Sequence, residues 1–177
     1  MHSGHIQVVQ SFLKSNLFHD LLILLTPSPP HKQNKKQASY NHRLEMLKMA
    51  FREYKNVTVS DLEINLPKPS YTLQTVRYLK NHYEAHNWFL CVGEDSVVHF
   101  DSWYQYKEIL QLVPLVVSER PGFDKEKVKP EILEETIFVE HNPVDISSTE
   151  IRNRTLNTGE ILPDEVAAYI SKHNLYT

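Results

Sequence analysis

Short continuous apolar runs exchange with stretches whose apolar residues recur every three or four positions, and this exchange limits the fold more tightly than any single motif. The first pattern reads as buried strand, the second as amphipathic helix. Ile6, Val9, Leu13 and Leu17 share a helical face, and "DLLILL" then reads as a fully buried strand. The following "TPSPPHKQNKKQ" is too rich in proline and lysine to be core. Leu44, Leu47, Phe51 and Tyr54 mark a second helix, "VTVSDLEI" a strand, and Leu73, Val76, Leu79 and Tyr83 a third helix. "WFLCVG" is a strand ending at Gly93, "YQYKEILQL" a helix, and "PLVVSE" and "TIFVEH" are strands. Two helices close the chain, from about Ser148 to Asn157 and from about Pro163 to His173, with Gly159 as a C-cap between them. Alternation of this kind implies right-handed crossovers, hence a doubly wound, mostly parallel α/β sheet with helices on both faces and a C-terminal helical segment. Ligands of such sheets collect beyond the carboxyl ends of the strands. The loops after Leu25, Gly93 and Glu119 are therefore the places to search, with the turn after any strand that precedes His2.

The chain has 177 residues, 41% of them hydrophobic and 23% charged, which suits one domain spanning residues 1–177. Its longest apolar run, Leu21 to Leu25, falls far short of the roughly 20 residues of a membrane span, and no signal segment precedes it. A cytoplasmic protein without a membrane partner is expected. Cys91 is the lone cysteine, lies inside an apolar run and cannot form an internal disulfide. The net charge of −3 supplies no global field for nucleic acid. With only four glycines, Gly4, Gly93, Gly122 and Gly159, neither a Walker phosphate loop nor a G-x-G-x-x-G turn can be present. Any phosphate must be held by other means.

Two segments carry chemistry. His2 and His5 flank Gly4 at the start of the first helical stretch. They read as a surface pair, as half of a metal site that lacks a third ligand, or as imidazoles at a helix N-terminus, where backbone N–H groups already favour phosphate. Spacing alone leaves these open. At the other end, "DISSTEIRNR" holds Ser147 and Glu150 as a capping box. Capping does not explain Arg152 on the first turn, where a cation opposes the helix dipole unless an anion is bound. Ser148, Thr149 and the guanidinium together make a triphosphate cradle.

The pair H-x-G-H at His2 to His5 and I-S-S-T-x-I-R at Ile146 to Arg152 resembles the paired signatures of the nucleotidyltransferase α/β phosphodiesterase superfamily, whose fold is Rossmann-like. Between them, "PPHK" at Pro29 to Lys32, "RLEML" at Arg43 to Leu47, "PSYTLQT" at Pro69 to Thr75, "VGEDS" at Val92 to Ser96, "WYQYKEIL" at Trp103 to Leu110, "ERPG" at Glu119 to Gly122 and the terminal "YISKHNLY" are similar to bacterial nicotinate-nucleotide adenylyltransferases. The resemblance spans essentially the whole chain. One departure stands out: the family's opening strand and loop, G-x-F-x-P-x-H, is absent, so about a dozen further residues are expected upstream of Met1 in the natural protein, forming a first strand.

The resemblance implies transfer of the adenylyl group of ATP to nicotinate mononucleotide, with release of pyrophosphate. His2, His5 and Arg152 are the implied catalytic residues. Gly4, His5, Gly93, Asp95, Ile146, Ser147, Ser148, Thr149 and Arg152 are implied at ATP. Trp103 would stack on the pyridine ring, Tyr104 and Thr72 would bind its carboxylate, Lys32 and Arg120 the mononucleotide phosphate, and Asp95 a ribose hydroxyl. Magnesium is implied only as an ion that arrives on ATP, with no protein metal site. A homo-oligomer is among the states the sequence allows. Competing functions are a sister enzyme for nicotinamide mononucleotide or another phosphorylated acceptor, a non-catalytic nucleotide-binding remnant, and a metal-dependent hydrolase on His2 and His5.

Overall fold

A computed structural model of the chain describes residues 3–27, 38–141 and 162–176. The described residues divide into two compact units, one of residues 3–27, 38–62 and 162–176, the other of residues 63–141.

In the first unit, β1 (Leu21–Leu24) and β2 (Val57–Ser60) pair in parallel, Leu21 opposite Val57 and Leu24 opposite Ser60. The crossover between them is α2 (Tyr40–Phe51), which starts where Ser39 accepts the His42 backbone N–H. Its apolar face places Met46, Ala50 and Phe51 in a core that α1 (Ser3–Lys14) joins through Ile6 and Val9, and α7 (Asp164–Lys172) through Val166 and Tyr169. Leu17 is not on α1 as the periodicity suggested, because Asn16 takes a left-handed conformation (φ 57°) and the helix ends at Lys14. Nor is β1 fully buried. All four of its residues keep intermediate exposure, since among the described residues a strand pairs with it on one side only.

The second unit is a three-stranded parallel sheet of β3 (Leu90–Gly93), β4 (Leu115–Glu119) and β5 (Thr136–Glu140), in that order. Leu115, Val116, Val117 and Ser118 of the central strand are all buried, as a parallel strand covered on both faces requires. α3 (Thr72–His82) sends Leu73, Val76 and Leu79 inward, and a bidentate ion pair from Arg77 to Glu108, at 2.8 and 2.7 Å, fastens it to α5 (Tyr106–Leu112). Phe100, Ile109 and Ile132 complete the core. Periodicity did not show α4 (Glu94–Val98) or α6 (Pro130–Glu134), which at five residues each are too short to display a helical repeat. The expected helix at 148–157 lies outside the described residues. Among the described residues all the ladders are parallel, and helices connect the strands of both sheets.

Candidate active site

The second unit gathers its polar groups beyond the carboxyl ends of β3, β4 and β5. Gly93 ends β3 and caps α4 with ordinary extended angles (φ −83°, ψ 164°), so no backbone demand explains a glycine there. A Cβ added to it would meet nothing within 4 Å. The glycine leaves open room at the strand end, and Asp95 stands exposed on the next turn.

β4 runs into "ERPG", where the Phe123 N–H donates to the Arg120 carbonyl at 3.1 Å, with Pro121 and Gly122 (φ 83°) at the two central positions. Proline followed by a positive-φ glycine is the sequence of a type II turn, and here the glycine is required. The turn is thus made by Pro121 and Gly122, which frees the Arg120 side chain for another task. Its Nε lies 3.4 Å from Glu94 Oε1, and its backbone N–H donates to Glu94 Oε2 at 3.0 Å. Beside it, Lys125 reaches Glu119 at 2.9 Å and sits 3.9 Å from the centre of the Phe138 ring.

His141 follows β5, is only 4% exposed, and donates its backbone N–H to the Glu119 carbonyl at 2.9 Å. Burial, and then the Arg120 guanidinium, hold its imidazole below the ordinary value of 6.5, with Glu94 opposing. The unfolded chain therefore binds a proton that the folded one refuses, so stability is complete above the ordinary value and is lost as pH falls below it. Lowering the pH from about 7.5 to about 5.5 is expected to reduce the melting temperature of the wild type more than that of His141→Gln. Parallel melting curves for the two proteins across that range would remove His141 as the cause. Cys91 on β3 is a different case: burial pushes its thiol up to about 12, leaving it protonated and unreactive at neutral pH.

The segments expected to bind the acceptor ring come together. Tyr71, which precedes Thr72 at the start of α3, stacks on Tyr104 with ring centres 4.6 Å apart and an interplanar angle of 26°. "PSYT" and "WY" are therefore neighbours. Tyr104 is 49% exposed and its hydroxyl accepts a hydrogen bond from Gln105, whose left-handed backbone (φ 49°) turns the chain into α5. Half-buried Trp103 leans on Phe100, with centres 4.9 Å apart. In the first unit, Gly4 and His5 occupy the first turn of α1, His5 exposed. His2, Lys32, Ile146, Ser147, Ser148, Thr149 and Arg152 lie outside the described residues.

Sequence reasoning missed Tyr71, Glu94 and His141. Tyr71 and Glu94 each adjoin a chosen residue inside a quoted segment, so adjacency was the available signal. His141 ended a predicted strand, and nothing in its spacing marked it.

A model of cytidylyltransferase-like proteins matches residues 1–154. The chain belongs to the cytidylyltransferase-like family. Relatives of this family member run the length of the chain. The nicotinate-nucleotide adenylyltransferase of Bacillus subtilis (strain 168) is 31% identical over 178 residues, covering 99% of this chain and 92% of the relative. A protein of Clostridium botulinum (strain Okra / Type B1), named "Probable nicotinate-nucleotide adenylyltransferase", is 33% identical over 187 residues, with 99% and 93% covered. Among solved structures, Plasmodium falciparum nicotinic acid mononucleotide adenylyltransferase complexed with NaAD superposes with a TM-score of 0.80 at 17% identity, covering 99% of this chain and 91% of that one. The same enzyme complexed with APC gives 0.77. These last two share the α/β fold of this chain. Among the described residues of this cytidylyltransferase-like protein, no group of three or more His, Cys, Asp or Glu could hold a metal ion, and no helix is long and apolar enough to cross a membrane.

Proposed function

We propose that the chain transfers the adenylyl group of ATP to nicotinate mononucleotide, giving nicotinate adenine dinucleotide and pyrophosphate, a step of NAD biosynthesis in the cytoplasm. The observation that carries this reading is the match to nicotinate-nucleotide adenylyltransferases along 99% of the chain. Residues 1–177 act in it as one nucleotidyltransferase domain.

The acceptor phosphate oxygen attacks the α-phosphorus of ATP. A new P–O bond forms as the bond to the bridging α–β oxygen breaks, and pyrophosphate leaves. The nucleophile is already ionised at neutral pH, so positioning and charge neutralisation are what the protein must supply. His2 and His5 donate hydrogen bonds to phosphate oxygens in the crowded transition state. Gly4 and Gly93 let backbone approach the nucleotide, and the segment from Ile146 through Ser147, Ser148 and Thr149 to Arg152 holds the β- and γ-phosphates and the departing pyrophosphate. Asp95 takes a ribose hydroxyl. Lys32 and Arg120 hold the mononucleotide phosphate, Trp103 stacks on the pyridine, and Thr72 and Tyr104 bind its carboxylate. Magnesium belongs with the nucleotide, since it prefers phosphate oxygens and water to a protein cage, and on ATP it neutralises part of the triphosphate charge.

Groups placed for a carboxylate are mismatched against an amide, so kcat/KM with nicotinate mononucleotide is expected to exceed that with nicotinamide mononucleotide by about 100-fold or more. Product formation from each mononucleotide with ATP measures this ratio. Equal efficiencies would overturn the substrate assignment, and a preference for the amide would make the chain the sister enzyme.

A further inference from the structure

Glu94 follows Gly93, and both of its carboxylate oxygens are spent on one residue across the sheet. One accepts the backbone N–H of Arg120, and the other lies 3.4 Å from the Nε of the same arginine. A single acid thereby holds the base and the head of a long side chain and ties the turn after β3 to the turn after β4. The exposures are unequal: the Glu94 side chain is 16% exposed and that of Arg120 is 49%. The anionic partner is shielded while about half of the arginine side chain stays open to solvent. Among the described residues the terminal nitrogens of Arg120 make no hydrogen bond, and these are the atoms that grip phosphate. A free arginine on an exposed turn spreads over many rotamers, and ordering it on binding costs affinity. An arginine already pinned at its Nε and backbone presents its fork without that cost.

We propose that Glu94 is a positioning residue that fixes the Arg120 guanidinium for the phosphate of the acceptor mononucleotide, an assignment that rests on the adenylyltransferase reading above. The arrangement also tunes the charge at this point. Paired with Glu94, Arg120 offers directed hydrogen bonds but little net charge, so it favours an anion that fits the fork over one that is merely negative. The lysine beside it, Lys125, is held by Glu119 and lies over the Phe138 ring, and as a point charge it offers no planar fork.

The test uses the full chain and steady-state kinetics with ATP and nicotinate mononucleotide. Glu94→Ala is expected to raise KM for the mononucleotide about tenfold while kcat and KM for ATP move less than about twofold, because a charge-directed contact acting before the chemical step is lost. In the Arg120→Ala background the same change should add almost nothing, since there is no guanidinium left to position. Glu94→Gln keeps an oxygen for the Arg120 N–H and should fall between wild type and Glu94→Ala; it also serves if the alanine variant fails to fold. An unchanged or lowered KM in both Glu94 variants would overturn the proposal, as would an equal effect with and without Arg120. A wild type that makes no dinucleotide from either mononucleotide defeats the reaction assignment instead, so the two failures are told apart.

Discussion

His5→Ala is expected to lower kcat by about 10²–10³-fold, the loss seen when one donor aimed at developing charge is removed. His5 lies in the first turn of α1, where the helix begins without acidic side chains, so the imidazole and the helix end both present positive character. The transition state of adenylyl transfer crowds negative charge around the α-phosphorus, and a neutral or cationic imidazole N–H gains most there. Little of that gain exists in the ground state, so KM for either substrate should move far less than kcat. Stability offers a control, because His5 is exposed and an exposed substitution is usually within about 0.5 kcal/mol. Pyrophosphate release under saturating ATP and mononucleotide gives kcat, and a loss under about tenfold would exclude His5 from the reaction. If His5 and Arg152 act on one polyphosphate, the His5→Ala/Arg152→Ala double variant should lose less than the product of the single losses.

The fold was legible because its strands are of the kind that sequence shows well. β4 is buried over its first four residues and opens on the apolar run Leu115–Val117, and α3 buries one stripe and reads as a 3.6-residue period. What failed to show has a common cause: it depends on backbone angles or on pairings distant in sequence. Asn16 ends α1 by adopting a left-handed conformation that asparagine tolerates but does not announce. The half-exposure of β1 depends on how many strands flank it, which no residue of "LLIL" encodes. The same division runs through the site. Thr72 and Tyr104 stood in recognisable segments, whereas the Tyr71–Tyr104 stack joins residues 33 positions apart by chain number and becomes visible only in space. Glu94 and Arg120, 26 apart, form their ion pair for the same reason. A charged residue next to a strand end is common, and only the fold tells which opposite charge it meets.

That dependence of the site on the core leads to the largest stability effect. Phe100 is completely buried, in the short turn between α4 and α5, and its ring packs 4.9 Å from Trp103 and edge-on to Tyr106 at 6.4 Å. Phe100→Ala removes the transfer free energy of the ring and leaves a cavity that β3, α3 and α5 close only in part, a loss of about 3–5 kcal/mol. Against a total of about 5–15 kcal/mol this is a large fraction, and it should lower the melting temperature by on the order of 10 °C. Trp103 loses its floor in the same step. Phe100→Leu separates the two consequences, because leucine keeps most of the buried volume but offers no flat ring to lean against. That variant should stay folded, with a melting temperature within a few degrees of wild type, and show a raised KM for nicotinate mononucleotide at nearly unchanged kcat. If Phe100→Leu leaves KM untouched, Trp103 holds its place without Phe100. If Phe100→Ala melts within about 3 °C of wild type, the core described around the three-stranded sheet is not what holds this unit together.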